Sequence, residues 1–160
     1  MATQKLVLDD FIDEQEFTLI GIHCAIENYR LAYLLNQYCN LKLVRKSKDL
    51  DFINKAQYPI YEWCDTKKLT TWSLVSNNCK VRVNLNQGSG TLFTESGSVK
   101  NYYLIPEYQK VNYFLKISSD TINDRKLKLI LNKIQNIPQI VTAYSVKPDT
   151  LKSKNNLIFY

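Results

Sequence analysis

One histidine, four cysteines and a glycine-bearing stretch are the parts of this 160-residue chain that could carry familiar chemistry. His23 and Cys24 are adjacent, and a Cys–His pair can supply a nucleophile with its base. In a strand, though, neighbouring side chains point to opposite faces, which holds the two apart. No second ligand stands at a zinc-site spacing from His23, so it reads as a strand-end residue with a satisfied ring nitrogen. Cys24, Cys39, Cys64 and Cys79 form no C-x-x-C pair and read as free thiols of a reducing cytosol. The stretch Gln87–Thr91 lacks the phosphate-loop pattern, and no helical periodicity follows it. Asp49, Asp51, Glu62 and Asp65 fall at ordinary surface or turn positions. The sequence therefore assigns no catalytic residue, no metal ligand and no cofactor, and an enzyme with an unrecognised site ranks third among its readings.

Charge is unevenly placed. The formal +6 is −4 on residues 1–16, where Asp9, Asp10, Asp13, Glu14 and Glu16 face Lys5 alone, and +10 beyond them. A basic body can attract a nucleic acid or an acidic protein, but its lysines are spread out rather than run together. No stretch approaches the ~20 apolar residues of a membrane helix, and the acidic start has the wrong charge for a secretory leader. The expected setting is cytoplasmic, away from membranes.

The elements that must position any site come in two similar units. Phe17–Cys24 reads as a strand and 25–39 as a helix carrying Ile26, Tyr29, Leu31, Tyr33, Leu34, Leu35 and Tyr38. So wide an apolar surface predicts deep burial. Asn40 caps the helix, and 41–45 reads as the returning strand. Later, Val111, Tyr113, Leu115 and Ile117 share one face of a strand over 111–117. A helix entered through Thr121 as N-cap, with Asp124 three residues on, buries Leu127, Ile130, Leu131, Ile134 and Ile137. Asn136 and Pro138 stop it before a strand over 139–146.

Two β-α-β halves predict an α+β fold, a ferredoxin-like two-layer sandwich forming one domain over 1–160. A polar acidic arm (1–15) precedes it. An inserted antiparallel β meander (54–105) separates the halves, with strands at 58–64, 69–75 and 79–85 and a loop over 87–98. Residues 147–160 form a linker and an edge strand. Strands 17–24 and 139–146 carry apolar residues on both faces, so a second layer must cover the sheet: the inserted strands, the C-terminal segment or another subunit.

The segment Ile105-Pro-Glu-Tyr-Gln-Lys-Val-Asn-Tyr113 resembles the IPExxxVDY family of small Bacteroidetes proteins. Ile105, Pro106, Glu107, Val111 and Tyr113 match its motif, and Asn112 stands where the motif has Asp. The resemblance implies a bacterial cytoplasmic protein and brings no activity with it. Asn is a poor base and a neutral ligand, so the departure favours a structural motif over a catalytic one.

The favoured function is a non-enzymatic interaction module working through protein–protein contacts or as a homodimer, using the doubly apolar sheet or the C-terminal strand. The alternative is a nucleic-acid-binding, RNA-associated domain on the basic surface. Lys42, Arg45, Lys46, Phe114 and Lys116 are its candidate contacts, since RNA-recognition sheets stack bases on exposed strand aromatics. The Lys/Arg-Gly-Phe/Tyr signature of such sheets is missing.

Overall fold

The computed structural model describes residues 16–52, 55–83 and 97–159. The polar arm 1–15 and nearly all of the 87–98 loop lie outside them. In chain order the elements are β1 (Phe17–Cys24), α1 (Asn28–Cys39), β2 (Val44–Arg45), β3 (Leu50–Asp51), β4 (Gln57–Tyr58), β5 (Ile60–Asp65), β6 (Thr70–Ser76) and β7 (Asn78–Val83). β8 (Ser98–Tyr103), β9 (Tyr113–Ser118), α2 (Asp124–Gln135) and β10 (Ile140–Val146) follow.

The fold is mixed α+β, with a six-stranded antiparallel sheet in the order β10-β1-β9-β6-β5-β2. Local chemistry sets several element ends. Asn40 ends α1 in the left-handed conformation, φ 55°, which Asn tolerates and most residues do not. Asn123 caps α2, its side chain accepting from the Lys126 amide, so the expected Thr121 cap is displaced by two residues. Pro59, having no N–H to give a ladder, separates β4 from β5 where one strand over 58–64 was expected.

Both helices pack on one face of the sheet. Ile20 and Ile22 of β1, Leu74 of β6 and Leu115 and Ile117 of β9 meet Leu31 and Leu35 of α1 and Ile134 of α2 there. Three expectations are corrected on this side. The 41–45 strand does not return beside β1. It shrinks to β2 at the far edge, with Val44 exposed, while β6 pairs with β9 and buries Leu74 and Val75. Burial of apolar side chains decides between two candidate strands of equal local propensity. Tyr29 and Tyr33 of α1 are 61% and 60% exposed, not buried, because one helix lying on a sheet can hide only one stripe. Of the expected α2 face only Ile134 and Ile137 are fully buried.

The opposite face has its own core: Leu19, Val75, Leu104, Ile105, Val111, Phe114, Val146, Leu151 and Leu157, with Ala56 and Tyr58. The chain covers this face itself, using the β3–β4 pair, the β7–β8 ribbon and the C-terminal segment. No edge strand forms at the described part of 147–160. It folds instead into two single 3₁₀ turns, Pro148–Thr150 and Lys154–Leu157. Val111 precedes β9 and faces this second core, whereas Tyr113 joins the helical one, so the two do not share a face. Gly21 eases this crossing, since a Cβ there would stand 3.3 Å from a Val111 methyl, which would have to give by a few tenths of an ångström. A register shift between His23 and Cys24 leaves Val141 of β10 exposed, and Ile140 then faces the helices with Ala143 rather than joining Tyr144 and Val146.

Candidate functional site

The 105–113 segment is tied into the fold by Asn77, which is fully buried between β6 and β7. Its Oδ1 accepts from the Ile105 amide at 2.8 Å, and its Nδ2 donates to the Tyr108 and Val111 carbonyls, each at 2.9 Å. Pro106 opens a 3₁₀ turn, Pro106–Tyr108, where its missing N–H is no loss. Glu107 accepts from the Ser153 hydroxyl at 2.8 Å, holding the C-terminal segment. The Tyr113 hydroxyl donates to the Ile26 carbonyl at 2.7 Å, and burial pushes its phenol up to about 12.

Asn112 accepts from the Cys24 amide at 3.0 Å through Oδ1. A carboxylate accepts the same bond, so Asn112→Asp is expected to change stability by less than ~1 kcal/mol in urea unfolding. A loss of several kcal/mol would show that the amide nitrogen matters.

The five candidate nucleic-acid residues do not form one surface. Phe114 is fully buried in the second core, so the expected stacking platform is closed. Lys116 lies beneath the C-terminal segment: its Nζ donates to the Leu157 carbonyl at 2.6 Å and sits 4.8 Å from the Phe17 and Phe159 ring centres. Burial pushes this amine's pKa down. Arg45 pairs with Asp49 and lies over the Tyr61 ring, Lys46 pairs with Glu62, and Lys42 is exposed. His23 and Cys24 face opposite sides of the sheet, with His23 Nε2 3.0 Å from the Tyr144 hydroxyl. Among the described residues no group of three or more His, Cys, Asp or Glu could hold a metal ion, and no helix is long and apolar enough to cross a membrane.

The arrangement with the most to offer a ligand lies elsewhere, where the β5–β6 hairpin meets the ends of both helices. A cleft of about 400 Å³ opens there, within the range of small-molecule sites. Trp63 and Trp72, directly opposed across β5 and β6, contribute its aromatic surface. Leu41, beyond α1, and Ile122, Leu129 and Ile130, at α2, add aliphatic surface. Lys68 of the hairpin turn and Lys126 and Lys133 of α2 supply positive charge.

None of these lysines makes a salt bridge among the described residues, although Lys126 Nζ donates to the Thr121 carbonyl at 3.1 Å. Asp65, the one acid in the lining, accepts from the Lys67 and Lys68 amides at 3.1 and 3.3 Å. Cys39 also lines the cleft. Burial pushes its thiol up to about 11, with the Lys133 charge opposing. Alkylation at pH 8 is therefore expected to reach exposed Cys64 first, half-buried Cys39 more slowly and buried Cys24 only on unfolding, read by peptide mass spectrometry. Fast labelling of Cys39 in the folded chain would contradict its placement.

Sequence reading missed this cleft. One signal was available: a turn closing between Asp65 and Thr70 puts Trp63 opposite Trp72, both on one face. That α2 would set two lysines over the same pair carries no local signature. No protein-family model, no curated protein and no solved structure matches this chain.

Proposed function

We propose that this chain is a non-enzymatic interaction module and that it engages an anionic partner through the tryptophan–lysine cleft. One observation carries the reading: an apolar floor holding both tryptophans of the chain is rimmed by three lysines, none of them in a salt bridge among the described residues. Apolar surface supplies affinity and convergent charge supplies selection, the usual division in a binding site. The sheet itself is a poor candidate interface, since its second face is occupied by the chain's own segments.

We read the architecture as a ferredoxin-like sandwich with the β5–β6 hairpin built into it. The order β10-β1-β9-β6, with both helices on one face, supports this, and β6 takes the place expected of 41–45. Membership of the IPExxxVDY family and a cytoplasmic setting belong to the same proposal. They rest on residues 105–113 and on four free cysteines.

The test uses charge reversal. The double variant Lys126→Glu/Lys133→Glu changes two exposed side chains, so the fold should be kept. A partner captured from cell extract after nuclease treatment should be held by the parent chain, lost by the variant, and released from the parent by salt. A partner that binds both chains equally contradicts the reading. Capture of RNA alone would favour the nucleic-acid alternative.

A further inference from the structure

Resting on that reading, we infer that the cleft takes a small organic anion with a flat apolar body, its acid group held by Lys126 and Lys133. The geometry points to this class in three ways. Lys126 and Lys133 lie seven residues apart on α2, two turns along one helix face, with Ile130 between them. An anion placed over Ile130 can therefore reach both ammonium groups. Trp63, half-buried, and Trp72, mostly buried, are cross-strand partners, and paired indoles in a cleft wall suit a planar body better than a bulky one. The volume, about 400 Å³, admits one ring system with its acid group but falls near the lower end for ligand sites.

Charge selects the sign of the occupant. Asp65, the lone acid of the lining, already accepts two backbone amides of its own turn, so a cation would find three lysines and little to pair with. A neutral ring would gain the apolar floor but leave the lysines to water. The anion gains both.

The experiment uses 6-bromo-2-naphthoate, whose bromine quenches indole emission, with 6-bromo-2-naphthamide as its neutral match and acetate as the acid group alone. Both tryptophans of the chain line this cleft, so intrinsic fluorescence reports on it directly. Saturable quenching by the naphthoate is expected, at least tenfold weaker with the amide, absent with acetate, and at least tenfold weaker in Lys126→Glu/Lys133→Glu. A loss of that size corresponds to about 1.4 kcal/mol or more. A Glu- and Leu-rich peptide without aromatic residues is the competing arm. If the peptide perturbs the emission and the naphthoate does not, the small-ligand class is wrong while the anionic-partner reading stands. If neither perturbs it, both fail. Equal quenching by naphthoate and amide would overturn the role given to the lysines.

Discussion

Asn77→Ala is expected to lower stability by about 3–5 kcal/mol, a large share of the ~5–15 kcal/mol that holds a domain of this kind together. The side chain makes three hydrogen bonds to backbone groups of 105–111 and is wholly buried. Alanine leaves the Ile105 amide and the Val111 carbonyl without these partners, and each buried orphan costs about 1–3 kcal/mol. Asn77→Asp sharpens the test. It keeps the acceptor for Ile105 but turns two donations into a carboxylate facing two carbonyls. Such a group resists ionisation, so its folded pKa lies above the unfolded ~3.9. Protonated Asp can still donate once. The deficit of Asn77→Asp should therefore grow as pH rises from about 4 towards 7. Urea unfolding at the two pH values checks both variants. A pH-independent deficit, or an alanine loss under ~1 kcal/mol, would show that Asn77 is not the knot of this segment.

Leu157→Ala should be the other severe change, at about 2–5 kcal/mol, lowering the urea midpoint by roughly 1–2 M. Leu157 has no exposed surface and packs in the second core. Its carbonyl also receives Lys116. The C-terminal segment thus acts as a strap over the sheet, and losing its anchor opens apolar surface. Neighbouring Ile158 is 42% exposed, and Ile158→Ala should stay within ~0.5 kcal/mol. Equal effects at 157 and 158 would mean that the strap does not hold as described. Dimer formation by the parent chain through this segment is not expected, because its anchors Leu151 and Leu157 are already buried against the sheet.

Much of the fold was legible where one residue and its neighbours settle the matter. Phe17–Cys24 is the strand its short apolar run indicates, Asn40 ends α1, and Asn136 with Pro138 ends α2. What could not be read depends on choices between distant segments. Residues 41–45 and 70–76 are both credible strands, and only the gain from burying Leu74 and Val75 decides which joins β9. Tyr29 and Tyr33 were read as core because tyrosine is largely apolar, yet its hydroxyl lets it face water at little cost. The 147–159 strap has no periodicity to reveal it, being held by turns and by Lys116, Ser153 and Asn156 bonds. The cleft gathers residues from 39 to 133, and no spacing rule connects Trp63 to Lys133.

The tryptophan–lysine cleft is proposed as the binding surface of this chain. Two-dimensional ¹⁵N–¹H spectra of the labelled chain, titrated with 6-bromo-2-naphthoate, test it most directly. Both indole N–H signals are expected to shift, together with amides from Lys126 to Lys133, and the Lys126→Glu/Lys133→Glu variant should need at least tenfold more naphthoate for the same shifts. Still indole signals, with shifts clustered on the C-terminal strap or on the Tyr29–Tyr33 face of α1, would contradict it.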